Sequence, residues 1–247
     1  ALERSTFLLA KEQGKVQQAI DHLSKLRALE PEFALNIWLL QFKILTTLEE
    51  DERALKTLDA AIKNFPSDER LLYSRAMIRE SKDDLTGMES DLRTIIQDNP
   101  QHAVALNALG YTLANRTDRL EEAFALTKAA LALKPENPMI LDSMGWVLFK
   151  MNKKEEALIL LLKAYQTFPD SEVAAHLGEV LWALEQKDEA VVIWQTSAQK
   201  DPTNKALIDT IKRFIPQSIK SSPKPTNSEE TTEPATPPDQ ATPENTL

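Results

Sequence analysis

Six prolines, at positions 31, 66, 100, 135, 169 and 202, recur at spacings of 33 to 35 residues. Twelve residues before each stands Ala19, Ala54, Met88, Ala123, Ala157 or Ala190. Gly110, Gly145 and Gly178 precede the last three of these alanines by 12 or 13 residues. Scattered residues do not keep one register six times, so the chain reads as an array of structural repeats. Within each unit, apolar residues at i, i+3 and i+4 form two stripes separated by a polar turn, the pattern of two antiparallel helices. Proline closes the second helix because its ring cannot continue the hydrogen-bond ladder. Glycine inside a helix costs about 0.8–1.0 kcal/mol relative to alanine. Its use at 145 therefore implies a compensating close approach of the two helices, with Gly145 and Ala157 expected where their axes come nearest. One such pair cannot bury its apolar face alone, and neighbouring pairs must stack into a solenoid.

Composition narrows the function classes. The chain of 247 residues has five glycines and is 42% hydrophobic but only 6% aromatic, which leans towards helix. A net charge of −9 without a basic stripe disfavours a grip on phosphate backbones, so no nucleic acid is expected as partner. The absence of cysteine excludes disulfides, thiolate metal sites and cysteine nucleophiles. No uncharged apolar run reaches 18 residues, and no cationic, apolar signal peptide opens the chain. It begins ALERSTFLLA, in a helix-like pattern and without methionine, which leads us to expect a fragment or processed product whose array continued upstream.

The expected architecture is all-α. Six helix-turn-helix repeats span approximately 1–34, 35–68, 69–102, 103–137, 138–170 and 171–204. A cap helix follows at 204–214, with Leu207, Ile208, Ile211 and Phe214 on one side, and completes an array over 1–214. From 215 to 247 the composition changes to Pro, Thr, Ser and Glu, with almost nothing to bury, and a disordered tail is expected.

The order L-x2-[small]-G … A-x3-[large]-x2-[small]-x4-P on this period resembles the tetratricopeptide repeat (TPR). Repeat five carries it as Leu141, Met144, Gly145, Leu148, Ala157, Leu161, Ala164 and Pro169. Repeat six carries Ala174, Leu177, Gly178, Leu181, Ala190, Trp194, Ser197 and Pro202. Repeat four has one extra residue in its turn, NRTDRLEE. Repeat three departs most, with Arg75, Arg79 and Met88 at signature positions. The resemblance implies a right-handed solenoid whose concave wall is lined by first-helix side chains. Those singled out for peptide binding are Tyr73, Asn107, Tyr111, Asp142, Trp146, Phe149, His176, Glu179 and Trp182. An aromatic stripe along a groove can anchor a peptide, but the same rings can equally serve as core. Asn107 lacks the basic neighbours of the clamp that holds chaperone C-termini.

Catalysis is not expected. HExxH, GxSxG and Walker-type motifs are absent. Asp142, Ser143 and His176 are the only grouping that could be tested as a hydrolytic set. Helices pack roughly 8–10 Å apart, and with another helix expected between equivalent ones, a contact of about 3 Å from serine to histidine is out of reach. No metal or cofactor is expected. His22 and His102 are expected in solvent.

Repeats four to six carry more than the generic pattern. "ALNALGYTLANRTDRLEEA", "NPMILDSMGWVLFKMNKKEEAL" and "PDSEVAAHLGEVLWALEQKDEAVVIWQ" are similar to the C-terminal repeats of bacterial outer-membrane TPR lipoproteins of the LbcA type. This resemblance implies a periplasm-facing adaptor, anchored by a lipid on a cysteine upstream of this chain. It would assemble a carboxyl-terminal processing protease with cell-wall hydrolase substrates. A cytoplasmic TPR scaffold of an assembly or signalling complex is the alternative.

Overall fold

A computed structural model describes residues 14–216; the expected start of repeat one (1–13) and the expected tail from 217 onward lie outside the described residues. Among the described residues there are twelve α-helices and no strand. Helix α1 (Val16–Leu29) is followed by a 3-10 turn (Pro31–Phe33). Five helix pairs then follow: α2 (Ala34–Thr47) with α3 (Asp51–Asn64), α4 (Glu69–Ser81) with α5 (Leu85–Asp98), and α6 (Ala103–Arg116) with α7 (Leu120–Leu133). The series continues with α8 (Pro138–Lys150) and α9 (Lys154–Thr167), then α10 (Ser171–Ala183) and α11 (Lys187–Lys200), and ends in α12 (Lys205–Phe214). Each second helix stops two residues before the recurring proline, as the missing N–H and the ring at that position require.

The first helices from α4 onward are started by side chains that satisfy free N–H groups. Asp68 accepts from the backbone of Arg70 and Leu71, Asn137 from Met139 and Ile140, and Asp170 from Glu172. His102 does the same through Nδ1, at 3.0 Å from the Ala105 nitrogen, so it caps α6 rather than standing free in solvent. His22 is exposed.

The turns inside the pairs explain the odd length of repeat four. In the other four pairs the turn places Glu49, Asp83, Asn152 or Glu185 in the left-handed region, with φ of 60°, 67°, 63° and 63°. After α8, Asn152 donates to the Phe149 carbonyl and Lys153 to that of Leu148, the paired bonds that close a helix at a left-handed residue. Repeat four instead extends its chain at Thr117, and the Thr117 hydroxyl both donates to the Leu113 carbonyl and accepts from Arg119. Its extra residue takes the place of the left-handed one.

Close approach within the pairs rests on the small residues. Ala19, Ala54, Met88, Ala123, Ala157 and Ala190 are all buried. A Cβ added at Gly145 would lie 2.7 Å from Leu161 Cγ and 3.3 Å from the Ala157 carbonyl oxygen. The nearer obstacle is thus Leu161, one turn beyond the expected Ala157. At Gly178 the same atom would fall 2.0 Å from the indole nitrogen of Trp194, a side chain with no exposed surface. Trp194 stacks in turn on Trp182 and Phe214, with ring centroids 5.8 and 5.3 Å away, so α12 closes the stack on an aromatic layer.

Repeat three departs from the pattern because its interior is ionic. Asp91, 3% exposed, accepts from Arg75 through both carboxylate oxygens at 2.6 and 2.9 Å, and from Arg79 at 2.8 Å. Arg75 also reaches Asp59 at 2.8 Å, tying α4 to α3 as well as to α5. Two guanidinium groups that look misplaced in the sequence are thereby paired with one buried carboxylate. Repeat two carries a neutral version at the equivalent place, where buried Gln41 donates to Thr57 at 3.0 Å.

Gly178→Ala is expected to destabilise by about 1–3 kcal/mol through overpacking against Trp194, despite alanine's better helix propensity. Val192→Ala, on an exposed helix face, should stay within about 0.5 kcal/mol. Urea midpoints of the two variants check the difference. Asp91→Ala should cost about 3 kcal/mol, because it removes the buried carboxylate that two partly buried guanidinium groups share and leaves them the half-exposed Asp59 and the Gly87 carbonyl. Asp59→Ala should cost under about 1 kcal/mol, since Asp59 is half-exposed.

Candidate functional site

Because the pairs stack in register, the first helices α4, α6, α8 and α10 form a continuous wall. A cavity of about 400 Å³ opens on it. Tyr73, Met77 and Glu80 of α4 form one side, Val104, Asn107 and Tyr111 of α6 the floor, and Met139, Asp142 and Glu172 the other side. A second cavity of about 280 Å³ shares Tyr111 and Glu172 and continues past Trp146, Phe149 and His176 to Glu179 and Arg213.

Between the two lies a buried polar chain. His176 Nδ1 sits 3.0 and 3.1 Å from the two oxygens of Asp142, and both residues are buried. Tyr111 donates to Glu172 at 3.0 Å and lies 3.4 Å from His176 Nε2. With imidazole protonated, Nδ1 donates to Asp142 and Nε2 to the Tyr111 oxygen, whose own proton goes to Glu172. Trp146 stacks on the imidazole at a centroid distance of 4.1 Å and covers it. Glu179 accepts from Thr210 and pairs with Arg213, which ties the end of this chain to α12. Burial alone would lower the pKa of His176. The Asp142 charge and hydrogen bond, helped by Glu172 and Glu179, outweigh it and raise the pKa above the ordinary imidazole value. Burial and Glu172 likewise push the Tyr111 hydroxyl up, so it stays a donor.

The structure thus brings together Tyr111, Asp142, Trp146, Phe149, His176 and Glu179 of the residues singled out in sequence. It places Asn107 one turn before Tyr111 on α6, and Tyr73 on the neighbouring first helix α4, both in the larger cavity. First helices α6, α8 and α10 touch one another in succession, with no helix between them, which is why Asp142 and His176 can meet. Ser143 does not join them; its hydroxyl donates to the Met139 carbonyl of its own helix at 2.9 Å. Trp146 is 6% exposed, a cover for His176 more than a free anchor. Trp182 stands apart, tilted against Phe214 at 5.5 Å in the C-terminal aromatic layer. Sequence reasoning passed over Glu172, Met139 and Val104. All three lie in the first turn or two of a first helix, where a carboxylate reads as dipole compensation and an apolar residue as core.

A family profile described as tetratricopeptide repeat matches residues 141–171, the region of Gly145, Ala157 and Pro169. The solenoid is a tetratricopeptide-repeat array. The chain is 44% identical over 176 residues to the TPR repeat-containing protein PA4667 of Pseudomonas aeruginosa. That alignment covers 71% of this chain but only 30% of the relative, so the shared stretch spans less than a third of that protein's length. Among solved structures it is similar to TTC0263, a thermophilic TPR protein of Thermus thermophilus. That match has a TM-score of 0.62 at 19% identity, over 73% of this chain and 96% of the other. It is also similar to YrrB, described as a TPR protein with an unusual peptide-binding site, with a TM-score of 0.53 at 16% identity. Here 77% of this chain and 97% of the other are covered. At these identities the two structures bear on the fold alone.

The raised His176 pKa makes the polar chain pH-dependent with a defined sign. A group whose folded pKa is raised contributes stability that is fully present below its unfolded value, near 6.5. The contribution disappears as pH climbs through the higher folded value. The difference in urea midpoint between wild type and His176→Gln should therefore be largest below about pH 6.5 and shrink at alkaline pH. Midpoints measured across that range check the sign.

Proposed function

We propose that this TPR array is a non-catalytic adaptor whose first-helix wall holds a segment of a partner polypeptide. The carrying observation is the larger cavity. It is lined by four successive first helices, is open to solvent at half-exposed Val104 and Met139, and is backed by a hydrogen-bonded cluster that keeps its shape. Preorganised walls of this kind lower the ordering cost of binding an extended peptide. YrrB, described by its peptide-binding site, is a precedent for such use of the fold.

The partner in this reading is a carboxyl-terminal processing protease, brought together with cell-wall hydrolase substrates on the periplasmic side of an outer membrane. What supports it is the resemblance of residues 103–200 to adaptor lipoproteins of the LbcA type. The curated relative, though 44% identical, is described only as a TPR protein and extends well beyond this chain.

The test uses Val104→Asp/Met139→Asp, which alters two exposed lining residues, and Ile159→Asp, which alters a residue 68% exposed on a second helix. Binding of each to an immobilised processing protease is measured alongside wild type. Wild type and Ile159→Asp should bind alike, and the double variant at least about tenfold more weakly, or about 1.4 kcal/mol. Equal binding by all three would place the interface elsewhere. Failure of the wild type to bind, with capture of cytoplasmic assembly proteins instead, would favour the scaffold alternative.

A further inference from the structure

We infer that the larger cavity selects a cationic peptide residue, lysine or arginine, set beside an aliphatic one; the inference rests on the peptide-binding reading above and deepens it. The fourteen residues that line the cavity include three carboxylates, Glu80, Asp142 and Glu172, and no lysine, arginine or histidine. Their negative charge is only partly answered from within. Asp142 is occupied by His176. Glu172 receives one hydrogen bond at Oε1, from Tyr111, and forms no ion pair among the described residues. Glu80 faces Arg116 at 3.7 Å, beyond hydrogen-bond distance. The side-chain oxygen of Asn107 is buried and accepts no hydrogen bond. The carboxylates of Glu172 and Glu80 keep acceptor capacity on this lining, and a ligand that satisfies them must bring donors.

The chain's own cations are segregated. Lys150 and Arg213 line the smaller cavity, where Arg213 is paired with Glu179. The remaining lining is apolar: Met77, Ala108, Ile140, and the half-exposed Val104 and Met139. A lysine or arginine fits both halves, because its aliphatic stem covers apolar surface while its head reaches a carboxylate. The faces of Tyr73 and Tyr111 add a favourable quadrupole for a cation. An acidic segment would meet the like charge of Glu172, beside Glu80 and Asp142, which Arg116 and His176 answer only in part. A purely apolar one would take Glu172 out of water without replacing its partners. At physiological salt, screening acts over about 8 Å, so charges in contact within the cavity keep most of their selectivity.

The test uses four end-blocked peptides in a Gly/Ser context, identical except for a central Lys, Arg, norleucine or Glu between two leucines, read by fluorescence anisotropy. The Lys and Arg peptides should bind at least about tenfold tighter than norleucine, equivalent to about 1.4 kcal/mol, with Glu weakest. Glu80→Gln/Glu172→Gln should bring Lys and norleucine to the same level. Raising salt should narrow the Lys preference in wild type, a readout that needs no variant. If norleucine binds as tightly as Lys, and Val104→Asp/Met139→Asp abolishes both, the cationic preference is wrong and the groove stands. If none of the four peptides binds, or that double variant has no effect on those that do, the groove and the preference fall together.

Discussion

The closest contact between the two helices of each pair governs everything else in this molecule. At Gly110, Gly145 and Gly178 there is no room for even a methyl group: an added Cβ would come within 2.7 Å of Thr127, 2.7 Å of Leu161 and 2.0 Å of Trp194. Facing those glycines, Ala123, Ala157 and Ala190 have no exposed surface. The helical cost of glycine is offset because backbones that approach this closely gain dispersion contact along both helices. The recurring prolines then fix the length of each second helix, so the crossing returns at the same phase in each unit. Stacking in that phase brings the first helices into direct contact. The wall with its cavities is a consequence.

On that wall, packing and binding compete for the same side chains. Trp146 covers His176, and His176 in turn satisfies Asp142; the cluster joins α8 to α10 as a core would, yet both cavities border it. Charge is sorted along the wall as well. The α4–α8 cavity has no lysine or arginine in its lining, with Arg116 3.7 Å from Glu80 and His176 on Asp142, whereas the α10–α12 end neutralises Glu179 with Arg213. The hydrogen-bonded chain through Asp142, His176, Tyr111 and Glu172 gives a firm platform beside groups that can gain partners from a ligand.

Repeat three shows how a unit can leave the repeat pattern and keep the fold. Arg75 and Arg79 remove apolar area from the interior, but Asp91 on the facing helix gives them a charge-assisted partner. Burying ions is costly, and such a pair contributes less to stability than apolar packing of the same volume. Its effect is to make α4 and α5 dependent on one another through a single carboxylate, with Asp59 linking the pair back to α3.

Much of the fold is legible in the sequence because its determinants are local and repeated: proline ends, small residues at fixed offsets, and 3.6-residue apolar stripes need only neighbours along the chain to be read. The helical nature of the array, its period, the stops of the second helices and the terminal helix with Leu207 and Ile211 inward all follow from that pattern. Several site residues were legible for the same reason, since first-helix positions repeat. The sequence could not say which of them meet. That Asp142 reaches His176 across 34 residues depends on the distance between stacked first helices, and that Trp182 joins Trp194 and Phe214 depends on how α10, α11 and α12 pack. The same holds for the pairing of Arg75 and Arg79 with Asp91. These contacts run between helices, where spacing along the chain carries no information about side-chain direction. Tertiary packing alone decided them.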